Sequence, residues 1–196
     1  YDTTLTPNLP DRSETPVLAH WIVVGDGPGT AFDDLESSLP RQHWPSVDEE
    51  SVFCLLYTSG TTGRPKGAML THFGTIHSLI HFERAFGFGE GEVTVLAVPA
   101  SHVTGLIAVI LVMIRAAGTT VLMPAFAARE FLAIAARERM TYSLIVPAMY
   151  NLCLLEPDFA DHDLSAWRIA AFGGAPMPEA TIRRLAAVLP ALTLVN

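Results

Sequence analysis

The chain has 196 residues, half of them apolar and only 16% charged, with a net charge of −8 and a mean hydropathy of +0.35. That length can bury a real core, and the acidic balance without any run of basic residues excludes a nucleic-acid backbone as partner. The apolar surface needs cover from a membrane or from more protein, yet the longest apolar span, 106–114, is bounded by Gly105 and Arg115, well short of the roughly 20 residues a bilayer requires. A buried helix is expected there, and no transmembrane segment.

Residues 1–17 are polar and hold Pro7, Pro10 and Pro16, the pattern of an extended surface segment or linker. They show no basic start followed by an apolar run, so no signal peptide is expected and a cytoplasmic setting follows. Residues 18–24 are aliphatic and β-branched and predict a strand running into Gly25-Asp26-Gly27-Pro28-Gly29. A dinucleotide-binding turn needs Gly-x-Gly-x-x-Gly opening a helix; Pro28 interrupts that pattern and Thr30 stands where the third glycine belongs. The cluster reads as a plain turn.

Residues 33–50 are polar, and a second strand is expected over 52–57. Beyond it, strands predicted over 93–98, 119–122, 142–146, 168–172 and 192–195 alternate with helical patterns. Ala128, Phe131, Leu132 and Ala135 fall at i, i+3, i+4, i+7, as do Ile182, Leu185, Ala186 and Leu189. Pro178 suits the first turn of the second of these helices and Glu179 its positive end. The alternation predicts an α/β fold over residues 18–196, with mainly parallel sheets flanked by helices. Cys54 and Cys153 lie in apolar runs without metal-binding spacing and read as small core residues. The strand-like stop at Asn196, together with the apolar content, implies a fragment.

The stretch richest in chemistry is Tyr57-Thr58-Ser59-Gly60-Thr61-Thr62-Gly63-Arg64-Pro65-Lys66-Gly67, directly after a strand. Glycines let the backbone approach a polyphosphate, hydroxyls and amides donate to its oxygens, and Lys66, the chain's only lysine beside eleven arginines, supplies a mobile charge. A hairpin turn alone would need two to five residues, about half of this stretch. A Walker loop would need Gly-Lys-Ser/Thr and an immediate helix, whereas Lys66 is followed by the strand-like Gly67-Ala68-Met69-Leu70.

This stretch resembles the signature loop of the adenylate-forming superfamily, which includes acyl-CoA synthetases, aryl-CoA ligases, luciferases and peptide-synthetase adenylation domains. The segment from Pro99 to Leu106 is similar to the one that places a histidine, here His102, beside the acid pocket of acyl- and aryl-CoA ligases. Phe172-Gly173-Gly174-Ala175-Pro176 looks like the family's segment between acyl pocket and adenine. The resemblance is closest to the fatty-acid–CoA ligases. It implies the central part of the large N-terminal domain, with the family's magnesium glutamate, ribose aspartate and C-terminal lysine outside these residues and the fragment alone inactive.

What the resemblance implies for the site is specific. Thr58, Ser59, Gly60, Thr61, Thr62, Gly63 and Lys66 would hold ATP phosphates, with Lys66 catalytic; His102, Gly105, Gly173, Gly174, Ala175 and Pro176 would meet the acid and adenine. The co-substrates would be ATP with Mg2+, a carboxylic acid and CoA, and a homo-oligomer is admitted. No residue here is expected to ligate the metal. Alternatives are loading of a carrier protein, or ATP binding without chemistry. The stretch 93–129 contains no Asp or Glu, which favours an apolar acid over an amino acid, whose buried ammonium needs a carboxylate partner.

Other clusters read as ordinary surface. His77 and His81 are spaced i, i+4, but Ser78 and Leu79 stand where a zincin motif needs a glutamate, so His72, His77 and His81 read as a solvated or packed helix. Arg137, Arg139, Arg183 and Arg184 read as solvated helix faces. Asp158, Asp161 and Asp163 lack the glycine and glutamate of a calcium loop.

Overall fold

The computed structural model describes residues 45–58 and 63–196, together with Ser13, Ile22–Val23 and Thr30–Ala31. The chain divides into two units, residues 1–46 and 47–196. In the first, strand β1 (Ile22–Val23) pairs in parallel with β2 (Thr30–Ala31). The turn cluster at 25–29 and, apart from Ser13, the extended segment expected over 1–17 lie outside the described residues.

The second unit begins with an antiparallel hairpin of β3 (Val52–Thr58) and β4 (Lys66–Thr71), which runs straight into helix α1 (His72–Phe86). Thr71 makes that junction possible. Its backbone is still extended, and its hydroxyl accepts the Gly74 N–H at 3.1 Å, satisfying one of the donors a helix start leaves open. At the other end Gly87 takes a left-handed conformation, φ 60°, and closes the helix.

The rest is a parallel β/α succession: β5 (Val93–Leu96), a wide π-helical segment (Thr104–Leu111) continuing as α2 (Val112–Arg115), β6 (Thr119–Leu122), α3 (Ala128–Arg137), β7 (Tyr142–Ile145), α4 (Pro147–Leu155), β8 (Ile169–Phe172), α5 (Glu179–Val188) and β9 (Thr193–Val195). The five strands form one sheet in the order β6-β5-β7-β8-β9, all parallel. The five strands expected in this sheet are all present, at their expected bounds or one or two residues shorter; the hairpin strand expected over 52–57 runs one residue longer, and of the strand expected over 18–24 only Ile22–Val23 falls within the described residues. Pro178 differs from expectation: it is the residue before α5, with extended ψ 138°, and Glu179 is the first helical position.

Alternation along the strands divides two cores. On one face Val95, Ile145 and Ala170 pack with α3, α4 and α5 through Leu132, Tyr150 and Leu185. On the other, Tyr142, Ile169 and Ala171 pack with Leu79 of α1 and with Ile107, Val112 and Met113. The apolar span 106–114 is thus part of a buried helix, as its length implied. Cys153 is in the first core, where burial pushes its thiol up to about 12; Cys54, on the hairpin, is only partly buried, because a two-stranded hairpin covers little of its own surface.

A polar clamp closes the amino end of the sheet. Glu92, Thr141 and Arg168 each immediately precede a strand, β5, β7 and β8. The buried Glu92 carboxylate accepts from Arg168, from the Thr141 hydroxyl and from the Gly89 N–H. Arg168 also donates to the carbonyls of Phe86 (3.3 Å) and Gly87 (3.4 Å), so the same guanidinium serves the open end of α1.

Tyr150 on α4 offers a direct test of the first core. Its fully buried hydroxyl donates to the Ala171 carbonyl at 2.7 Å and lies 2.8 Å from the Ser143 hydroxyl. Tyr150→Phe keeps the ring and strips both contacts, with an expected loss of about 1–2 kcal/mol. Urea unfolding should show a lower midpoint at unchanged slope; an unmoved midpoint would mean the two strand groups find other partners.

Candidate active site at the carboxyl ends of the strands

The strand order contains a reversal. From β5 the chain first lays β6 on one side, then returns to lay β7 on the other, so the connections after β5 and β7 leave in opposite directions. A crevice must open outside the carboxyl ends at that point, where ligands bind in open α/β sheets. A cavity of about 780 Å3 lies there, walled by Val98 and Pro99 after β5, Ile145 and Val146 at the end of β7, and Phe172, Gly173 and Gly174 after β8. Helix α1 adds Ser78, His81, Phe82, Ala85 and Phe86, and the wide helix adds Thr104, Ile107 and Ala108.

His102 lies on this wall in the turn between β5 and the wide helix. The Thr104 N–H donates to its Nδ1 at 3.2 Å, and the Thr104 hydroxyl stands 3.0 Å from the same nitrogen. A backbone N–H can only donate, so Nδ1 of the neutral ring is the acceptor and the ring proton belongs on Nε2. The imidazole thereby keeps an N–H donor for a ligand.

Gly105 is buried beneath that turn and lines nothing. A Cβ there would stand 2.3 Å from the Pro99 carbonyl oxygen, so only glycine lets the turn fold back so tightly onto the helix start. Gly173 differs, since a Cβ there would meet nothing within 4 Å. The chain leaves that strip of cavity wall bare. Gly174 follows at φ 80° and turns the backbone toward α5; Ala175 and Pro176 lie beyond, exposed and away from the wall.

The glycine- and hydroxyl-rich loop closes the β3–β4 hairpin. Thr58 pairs with Lys66, and the Thr58 hydroxyl donates to the Lys66 carbonyl at 3.5 Å. Gly63 has φ 82°, and Lys66, exposed, has no carboxylate partner among the described residues. Ser59, Gly60, Thr61 and Thr62 lie outside the described residues. None of the described loop residues lines the cavity.

The face of α1 formed by residues 78, 81, 82, 85 and 86 is the part of the wall that motif reading does not find. Its spacing, three and four residues apart, was the available signal. His81 is on that face, while His77 packs against Phe73 with ring centroids 4.2 Å apart. Arg184 is not a free surface residue: it donates to the Leu154 carbonyl at 2.7 Å and ties α5 to α4. Exposed Asp163 accepts from Ser165, which holds its carboxyl below the usual range. Among the described residues no group of three His, Cys, Asp or Glu side chains is placed to hold a metal ion, and no helix is long and apolar enough to cross a membrane.

Comparison with known proteins places this architecture. The chain is 33% identical over 181 residues to the long-chain-fatty-acid–CoA ligase FadD13 of Mycobacterium tuberculosis, covering 88% of this chain and 36% of that protein. It is 36% identical over 148 residues to a feruloyl-CoA synthase of Amycolatopsis, covering 76% and 29%. Among solved structures, ATP-bound MatB from Rhodopseudomonas palustris superposes with a TM-score of 0.66 at 30% identity, over 72% of this chain and 28% of that one. The chain therefore spans about a third of the length of such relatives. A family model described as AMP-binding enzyme matches residues 3–196, and with nearly every residue inside that match the chain belongs to the AMP-binding enzyme family.

Proposed function

We propose that the whole protein is a cytoplasmic acid–thiol ligase that activates an apolar carboxylic acid, fatty or aryl, with MgATP and passes the acyl group to CoA. In the first step a carboxylate oxygen attacks the α-phosphorus and pyrophosphate leaves; in the second the CoA sulfur attacks the acyl carbonyl and AMP leaves. The loop from Thr58 through Lys66 would hold the phosphates, with Lys66 countering the charge that builds on departing pyrophosphate. Magnesium would arrive with ATP. His102 would offer its Nε2–H to the carboxyl or acyl oxygen, and the bare backbone at Gly173 and Gly174 would lie against flat groups of acid or nucleotide.

The observation that carries the choice of acid is the cavity wall. Among the described residues it contains neither Asp nor Glu, and Ser78, His81, His102, Thr104 and Asn196 are its polar side chains among apolar ones. Such a wall suits a chain or ring and leaves the ammonium of an amino acid without a partner.

A substrate panel with the full-length enzyme tests this. Pyrophosphate release should be fast with unsubstituted fatty or aryl acids and at least tenfold slower with free amino acids, an order-of-magnitude expectation from the cost of an unpaired buried charge. Preference for any amino acid would overturn the reading of the wall. Supplying CoA or a carrier protein to the loaded enzyme then identifies the acceptor, and thioester on the carrier alone would displace CoA.

A further inference from the structure

Tyr142 stands behind the cavity wall without being part of it. It is the first residue of β7, fully buried, and contributes nothing to the lining. Yet it touches the backs of two separate stretches of wall. Its hydroxyl donates to the Ala108 carbonyl at 3.0 Å, in the middle of the wide helix, and its ring centroid lies 5.6 Å from that of Phe86 on α1. Phe88 closes the cluster at 4.7 Å. Ala108 and Phe86 both line the cavity, as do Leu144 and Ile145 farther along β7 itself.

The helix that Tyr142 holds has an unusual register. The Val112 N–H reaches back five residues to the Ile107 carbonyl, whereas the flanking bonds, Leu106 to His102 at 2.9 Å and Ala116 to Val112 at 3.0 Å, span the ordinary four. Such wide turns are rare and concentrate at functional sites. Collapse to four-residue spacing would remove one residue of slack, rotating side chains beyond the turn by about 100° or sliding them by about 1.5 Å. Thr104, Ile107 and Ala108 would then offer the cavity a different surface. Gly105 stands at the helix start, ahead of the five-residue bond, and the stretch that bond spans, 107–112, contains neither proline nor glycine to force the wide turn.

We infer that Tyr142 is a specificity-determining positioning residue: through its bond to the Ala108 carbonyl it keeps the helix at 104–111 in the wide register and so sets the cavity shape that selects the acid. This rests on the reading of the cavity as the acid site. Burial raises the phenol above its ordinary range, so the hydroxyl remains a donor across the pH range of any assay.

The test is Tyr142→Phe in the full-length protein, which keeps the ring contacts and removes only the hydroxyl. Leu132→Val serves as control; Leu132 is fully buried in the other core and lines no part of the cavity. The readouts are the ratio of kcat/KM between a straight-chain and an aryl acid, and amide hydrogen exchange over residues 108–113. In Tyr142→Phe the ratio should move about tenfold or more, the scale of displacing one methylene-sized group in an apolar pocket, and exchange should quicken. In Leu132→Val the ratio should stay within about twofold of wild type, the scatter between independent sites. A Tyr142→Phe ratio no different from that control, or unchanged exchange, overturns the inference. A wild-type enzyme that releases pyrophosphate with no carboxylic acid would instead overturn the functional reading, and the exchange measurement would still decide whether Tyr142 holds the wide turn.

Discussion

Lys66→Ala in the full-length enzyme is expected to slow adenylation about a hundred- to thousandfold, the usual effect of removing one charge-stabilising donor from a site of this kind. The loss should fall on turnover. In the bound substrate the phosphate charge is already shared among oxygens and metal, whereas in the transition state new charge appears on the departing pyrophosphate. A contact that strengthens with that charge lowers kcat and kcat/KM together when it is lost. Lys66 is suited to this because it is the chain's only lysine, is exposed at the start of β4, and has no carboxylate partner among the described residues. Single-turnover formation of acyl-AMP measures the step directly, and an unchanged rate with a raised KM for ATP would reduce the loop to a binding device.

Gly105→Ala should be the most disruptive single methyl on the site side of the sheet. The added Cβ would stand 2.3 Å from the Pro99 oxygen, 2.9 Å from its carbonyl carbon and 3.0 Å from the Ala100 Cα. All three are backbone atoms, which cannot swing away as the tip of a side chain can. Either the helix start or the Pro99 turn must move, at an expected cost of about 3 kcal/mol, the upper range for overpacking. His102 sits between the two, so the displacement should carry its ring with it. Thermal unfolding gives the first effect and a fall in pyrophosphate release at a permissive temperature the second. Wild-type stability in this variant would show that the turn is looser than its contacts indicate.

The sheet was legible in the sequence because its strands are short, aliphatic and separated by strong turn residues, and each of its five strands lies within two residues of its predicted place. Helix α1 was harder. It carries exposed Phe73 and Ile76 on one side and buried or half-buried Leu79, Phe82 and Phe86 on the other, so its apolar residues do not mark a single face. The wide turn at 104–111 left no trace at all. A mostly apolar segment reads the same whether its hydrogen bonds span four residues or five, and the carbonyl contact that accompanies the wide register comes from Tyr142, thirty-four positions away. Of the residues that the resemblance assigned to acid and adenine, His102, Gly173 and Gly174 line one cavity, while Gly105, Ala175 and Pro176 stand off its wall. Gly105 matters to the site through the turn above it.

The cluster of Glu92, Thr141 and Arg168 bears on how this sheet finds its alignment. The strand sequences Val-Thr-Val-Leu, Tyr-Ser-Leu-Ile and Ile-Ala-Ala-Phe are covered on both faces, so a slip along their length would exchange one greasy contact for another of similar worth. The polar trio is not so forgiving. Each member sits one residue ahead of its strand, so displacing any of the three strands by a single step leaves the Glu92 carboxylate inside the protein without its guanidinium or its hydroxyl. An unpartnered buried charge disfavours that arrangement by several kcal/mol, more than sliding aliphatic side chains can recover. Wrong pairings are thus rejected at the end of the sheet farthest from the chemistry, and the loops that shape the cavity are free to differ in sequence without putting the alignment at risk.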